Sequence, residues 1–182
     1  GRYIAMDFMS GWLAWLDEAA TPRPQFKLIA RNLAKPIAVA VAGETHGWGI
    51  LNATHLSPWL AVPLAALFLD LAIYFQHVTF HAVPALWRLH RVHHSDLDFD
   101  VTTGTRFHPV EILISTLIKM AAVAAIGAPA VAVLVFEVLL NATAMFNHAN
   151  GRLPAGLDRW VRLLVVTPDM HRVHHSVIPR EL

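Results

Sequence analysis

Histidine is the residue type with which this sequence can do chemistry. It has 12 histidines and no cysteine, so disulfides and thiolate metal sites are excluded and ligands must be imidazole or carboxylate. The hexapeptide His90-Arg91-Val92-His93-His94-Ser95 recurs as His171-Arg172-Val173-His174-His175-Ser176. In a helix, positions i, i+3 and i+4 share a face, so each copy aims three imidazoles at one region. His77 and His81, four apart, form a third group of the same kind. One triple spans only about 6 Å of helix, too little to surround two ions, so the two copies are expected to converge. Together the groups predict a site for more than one metal ion. Imidazole suits zinc, copper, iron and nickel, so ligand type does not choose among them. His148 and His108 are further candidates, because each stands where an apolar stretch ends on the side of the repeats. His46 and His55 fall at the opposite end and are predicted to be structural.

Metal ions held by neutral imidazoles carry buried charge that needs compensation. The sequence has no Glu-x-x-His pair, so carboxylates are expected to act one step removed, accepting the other ring N–H of a ligating histidine. Asp70, Asp96, Asp98, Asp100, Glu111 and Asp169 all lie near the histidine groups. Asp70 stands out, because it precedes His77 on an apolar stretch where an ionisable group is expensive.

The elements that must position these groups are those of a membrane protein. Hydrophobic residues make up 55% of the chain and charged residues 15%, against about a quarter charged in soluble domains. A net charge of +1 gives no sign of nucleic-acid binding. Four apolar stretches run from Pro36 to Asn52, Pro58 to Gln76, Val110 to Ile126 and Pro129 to Phe146. Their connectors, Ala53–Ser57 and Gly127–Ala128, are short and read as the tips of two helical hairpins. Arg23, Lys27, Arg31 and Lys35 precede the first stretch. Arg88, Arg91 and Arg106 lie between the second and third, and Arg152, Arg159, Arg162, Arg172 and Arg180 follow the fourth. The tips carry no Lys or Arg, which puts both termini and all histidine groups on the cytoplasmic side. Lys119 alone among the basic residues lies inside a stretch, either snorkelling or facing a neighbouring helix. Asp7 and Asp17 interrupt any signal-peptide core. Ile4, Phe8, Trp12, Trp15 and Leu16 share a helical face, so Tyr3–Ala20 is predicted to be an interfacial helix. The expected fold is an all-α integral-membrane one. It has an amphipathic segment over 1–34 and a domain over 35–182 of four transmembrane helices, paired as two hairpins, with the histidine groups at their cytoplasmic end.

These residues carry a family likeness. Asp70-(x3)-Tyr74-(x2)-His77-(x3)-His81-(x4)-Leu86-Trp87-(x2)-His90-(x2)-His93-His94-Ser95 resembles the first histidine boxes of the fatty acid hydroxylase/sterol desaturase superfamily. Arg106-Phe107-His108-Pro109-Val110-Glu111 looks like the box that follows in the sterol desaturase branch. Phe146-Asn147-His148-Ala149-Asn150 and the run from Thr167 to Ser176 look like the last two. The resemblance implies metal ligation by His77, His81, His90, His93, His94, His148, His171, His174 and His175. It leaves Asp70, Arg106, His108, Glu111, Asn150 and Asp169 as supporting residues around them. It further implies a cytoplasmic helical cap that holds a di-metal site over the four membrane helices, two iron ions, O₂ as co-substrate, and attack on an unactivated C–H bond of a lipid drawn from the bilayer, giving an alcohol or an alkene. No nicotinamide, flavin or haem-attachment motif is visible, so electrons are expected from a separate donor protein. The location expected is a bacterial inner membrane. Two departures stand out: the chain stops at Leu182, short of the tail usual in relatives, which suggests a fragment, and Ala144 replaces a histidine found in some of them. A zinc-dependent membrane hydrolase and a non-enzymatic haem or metal carrier are the rival readings. The first needs fewer histidines and a carboxylate base, the second a histidine from each of two facing helices.

Overall fold

The structure, a computed structural model, describes residues 35–96 and 99–176 in full and the backbone of residues 2–7 and 12–17. Proline marks the helix starts. Pro58, Pro84, Pro109 and Pro168 each sit in the first turn of a helix, where the missing N–H costs nothing. The helices are α1 (35–46), α2 (Ile50–Thr54), α3 (Pro58–Ala82), α4 (Pro84–His90), α5 (Pro109–Ile126), α6 (Ala130–Asn147), α7 (Ala155–Val161) and α8 (Pro168–His174). Single 3₁₀ turns cover His93–Ser95 and Thr103–Thr105.

Among the described residues, α3, α5 and α6 are long and apolar enough to cross a membrane. The predicted first span is divided instead: α1 stops at Gly47 and Gly49, whose φ angles of 68° and 87° suit only glycine, and α2 resumes after them. The described part of α1 reaches about 18 Å, short of a hydrocarbon core of about 30 Å. In contrast, α3 runs past the predicted Gln76 to Ala82 and so carries His77 and His81 on the same rod as the apolar stretch.

The N-terminal expectation is corrected. Where an interfacial helix was expected over Tyr3–Ala20, the described residues form strands: β1 (Arg2–Asp7) pairs antiparallel with β2 (Trp12–Asp17), with Arg2 opposite Asp17 and Asp7 opposite Trp12. Two apolar runs of equal length, four residues apart, can satisfy each other's backbone groups as a hairpin. Among the described residues the fold is otherwise helical. Arg23, Lys27, Arg31, Asp98 and Arg180 lie outside the described residues.

The core sits at the end of the bundle away from the histidines. Ala40, Ala65, Leu69, Val123, Ala132, Val133 and Phe136 form it where α1, α3, α5 and α6 meet. Its alanines let the helices approach closely, the usual means of packing apolar helices without a hydrophobic drive. At the tips, Gly49 packs so tightly on Gly127 that a Cβ would overlap the Gly127 backbone, and Glu44 Oε1 accepts from the Ala130 N–H at 3.0 Å. Inside the bundle, Lys119 does not snorkel: its Nζ lies 2.6 Å from Glu137 Oε1, both buried, which ties α5 to α6. Gln76 donates to Ser115 at 2.8 Å and ties α3 to α5 near the histidine end.

Candidate metal centre

A proline corner builds the site. Pro84 forces Val83 into an extended conformation, so the chain turns sharply after α3 and α4 folds back beside it. The His90 ring thereby lies 4.8 Å from those of both His77 and His81. The first hexapeptide leaves the α-helix at His90 and finishes in the 3₁₀ turn His93–Ser95, whereas the second stays helical through His174. α8 then brings the second copy across the end of α6, and the His94 and His175 rings stack at 4.2 Å.

All nine histidines named from the sequence as candidate ligands lie in this one cluster, which has two poles. At one pole, His93, His148, His171 and His175 each offer a ring nitrogen within 4.8 Å of the others. At the other, His77, His81 and His174 form one group and His81, His90 and His94 an overlapping one, and a further group of His94, His174 and His175 joins the two poles. The two copies interlock. The first gives its i and i+4 histidines, His90 and His94, to one pole and its i+3 histidine, His93, to the other. The second does the reverse, with His171 and His175 at the His93 pole and His174 opposite. For the second copy, helical through His174, helix geometry explains the split: i and i+4 differ by about 40° around the axis, while i+3 points about 60° to the other side of i.

The donor set fits metal ions. His93 Nδ1 donates to the Thr103 carbonyl at 3.0 Å and His148 Nδ1 to the Ala144 carbonyl at 2.8 Å, which fixes both tautomers with bare Nε2 atoms. Those two Nε2 atoms nevertheless face each other at 3.3 Å, and His148 Nε2 lies 3.0 Å from His171 Nε2. Lone pairs converge at that distance when a cation lies between them, since imidazole nitrogens bind such ions at about 2.0–2.1 Å. At the other pole His77 Nε2 and His174 Nε2 stand 3.0 Å apart. The Nε2 atoms of His81, His90, His94 and His175 are buried without a hydrogen-bond partner, an expensive arrangement unless something else binds them. Burial, then repulsion from neighbouring imidazoles, holds His93, His94 and His171 well below the ordinary histidine range. His174 is lowered to about 4 and His175 to about 3 by the same causes, and burial also lowers His148. At neutral pH these rings are unprotonated, the form that binds metal.

The supporting residues divide sharply. Glu111, in the first turn of α5, accepts from His90 Nδ1 at 2.6 Å, with both side chains 1% exposed. The bond turns His90 Nε2 toward the cluster. Arg106 works at a distance: it pairs with Asp96 at 2.8 Å, Asp96 accepts from Thr103 Oγ1 at 2.8 Å, and the Thr103 carbonyl holds His93. His108 is not in the cluster; it caps α5, accepting from the Val110 N–H at 3.2 Å. Asp169 pairs with Arg172, and with Arg152 at 3.6 Å, and touches no histidine. Asn150 is exposed and off the cluster, and Asp100 accepts from the Thr102 N–H at 2.7 Å in the loop. Asp70 does not orient a ligand: its side chain is exposed on the wall of a cavity below the histidines.

Several contributors left little mark in the sequence. The carbonyls of Thr103 and Ala144 act through the backbone, which residue type does not reveal. Phe107 stacks on the His93 ring at 4.1 Å, and the box containing it pointed only to its neighbours. Gly104 lies so close that a Cβ there would stand 3.0 Å from His148 Nδ1. Glu137 was the overlooked partner of Lys119, although an opposite charge in the adjacent apolar stretch is a readable signal.

The cavity measures 530 Å³. Ile73, Tyr74, Leu140 and Thr143 wall its lower part, and His77, His93, His148, His171 and His174 close its upper end. The cavity between α3 and α6 thus ends against the imidazole cluster.

The family model described as "Fatty acid hydroxylase" matches residues 62–181, which include every histidine of the cluster. No curated protein matches the chain, and no solved structure does.

Proposed function

This chain belongs to the fatty acid hydroxylase family, and we propose on that premise that it inserts oxygen into, or removes hydrogen from, an alkyl C–H bond of a membrane lipid. The observation that carries the reading is the apolar cavity ending on two interlocked histidine poles. The four histidines of one pole and five of the other would hold two iron ions, whose chemistry when bound is the reductive activation of O₂. In the balance, an alkyl C–H, O₂, two electrons and two protons give an alcohol and water; loss of a second hydrogen gives an alkene and a second water.

The chain's own residues have defined tasks in this reading. Glu111 keeps the proton on His90 Nδ1, and the Thr103 and Ala144 carbonyls do the same for His93 and His148, so the bare nitrogens point inward. The anionic Glu111 offsets part of the positive charge of the filled site. Phe107 and the cavity wall exclude water and hold the reacting carbon near the histidines. The site sits at the cytoplasmic face, because Arg88, Arg91, Arg106 and Arg152 flank it and the tips have no basic residue. Electrons arrive from a separate donor protein.

Anaerobic purification with elemental analysis, paired with lipid extracts of cells with and without the protein, tests the proposal. Two irons per chain, no Soret band and a new hydroxylated or unsaturated lipid are expected. An active preparation holding only zinc, or one metal ion, overturns it. For orientation, single cysteines at Ser95 and Ser57 should respectively resist and react with an impermeant thiol reagent in intact cells; the opposite pattern overturns the cytoplasmic placement.

A further inference from the structure

The end of α7 and the segment from it to α8 expose more apolar surface than a cap in water tolerates. Leu164 is 88% exposed, Leu163 70% and Trp160 62%. Contiguous apolar exposure of this kind marks a surface that meets something apolar. The cavity shows how deep the segment reaches. Leu164, Val165 and Val166 line it together with Asp70, Ile73 and Leu140. Asp70 precedes His77 by seven residues and therefore lies about 10 Å further along α3, inside a helix apolar and long enough to cross the bilayer. A segment that shares a wall with those residues descends along the flank of the spanning helices. Its backbone suits that position: the N–H groups of Leu163, Leu164 and Val165 all bond carbonyls of Trp160 and Val161, continuing the helical pattern past α7. On the other side, the Arg159 guanidinium lies over the Trp160 ring at 5.1 Å, the pairing of aromatic and basic groups found at headgroup level.

We propose that the segment Leu163–Val166 is inserted in the bilayer and forms the lateral entrance of the cavity, with Arg162, paired with Asp158, held at headgroup level. Leu163 and Leu164 lie in hydrocarbon, Trp160 and Arg159 lie at the phosphate level, and an alkyl chain enters past Leu164. The bilayer contact rests on the exposed apolar side chains and on their place beside α3, a helix apolar and long enough to span; the role as an entrance rests on the reading that a lipid is the substrate.

The absence of native cysteine makes the test direct. Spin labels are placed on Leu164→Cys, on Leu67→Cys as a lipid-facing reference on α3, and on Arg152→Cys as an aqueous one, in metal-loaded full chain in vesicles of phosphatidylethanolamine and phosphatidylglycerol. The Leu164 label should collide with O₂ rather than with a water-soluble nickel chelate, as the Leu67 label does. If it behaves like the Arg152 label, the proposal fails. Palmitic acid with a diazirine at its methyl end then reports entry. Labelling of the wall around Ile73 and Tyr74 should fall about tenfold in Leu164→Asp, because a carboxylate at the mouth opposes passage of an apolar chain. Leu164→Ala should label the wall like the unmodified chain, and labelling around Leu67 should stay constant in both variants. Undiminished wall labelling in Leu164→Asp overturns the entrance. Labelling requires no turnover, so a chain that makes no oxidised lipid would refute the proposed reaction and leave this result standing.

Discussion

The two copies of the hexapeptide have the same six residues and different surroundings. In the first, His90 and His93 are almost wholly buried and each has its second nitrogen fixed, by Glu111 and by the Thr103 carbonyl. In the second, His171 and His174 are half-buried, and the nearby Asp169 spends its charge on Arg172 and Arg152. The arginines differ as well: Arg91 is exposed, while Arg172 also reaches the Gly151 carbonyl and lies over Phe99. Identical spacing thus supplies the same donors, and the setting decides how rigidly they are held. The first copy is built into the bundle, and the second is delivered to it by α8.

The comparison breaks most visibly if the copies are unequal as donors. Because each pole draws on both copies, His93→Ala and His174→Ala should each lower iron content and reduce turnover at least about a hundredfold, the upper end of what loss of a metal-site group costs. Normal iron and turnover in either variant would make that copy a structural echo. A smaller effect separates their settings. Glu111→Ala should weaken metal affinity about 10- to 100-fold, and Asp169→Ala should leave it near the unmodified value, as measured by chelator competition. Equal losses would erase the distinction between a wired copy and a delivered one.

Acid gives a third, more moderate contrast. His174 and His175 titrate in the folded metal-free protein at about 4 and about 3, below the ordinary 6.5. The unfolded chain therefore binds more protons between those values, and stability present above pH 6.5 declines as pH falls toward 3. Metal-free protein should melt at a lower temperature at pH 5 than at pH 7.5, and His174→Gln should flatten that dependence. A melting temperature independent of pH over this range contradicts the burial of the second copy. The smallest effects belong to the middle residues. Val173 is exposed and Val92 half-buried, so Val92→Ile and Val173→Ile should change iron content and turnover less than about twofold, within the scatter of substitutions that touch no buried feature. A large loss in either would show that the valine face packs against something the structure leaves open.

Much of this molecule was legible because the relevant signals are local. Apolar length and proline placement locate α3, α5 and α6 to within a few residues at most ends. Even there, α3 extends through the histidines, since polar residues with helical spacing continue a helix that apolarity alone would end at Gln76. The N-terminal strand pair was misread, because six-residue apolar runs satisfy helical and alternating patterns equally and pairing partners are not a local property. Six carboxylates were placed near the histidines by sequence, and among the described ones only Glu111 accepts from a histidine. Distance along the chain ranks them alike; the start of α5 against α4 selects one.

What the sequence determined by itself is the donor type and its repeat: imidazole in i, i+3 and i+4 order, which puts three rings within about one helical turn in each copy. Only the tertiary structure decided that the copies interlock, that Asp70 lines a cavity wall instead of orienting a ligand, and that Lys119 meets Glu137. Those outcomes depend on how α3, α4, α6 and α8 pack, and packing is set by the whole bundle at once, since a side chain's partner is the one that the other helices leave within reach.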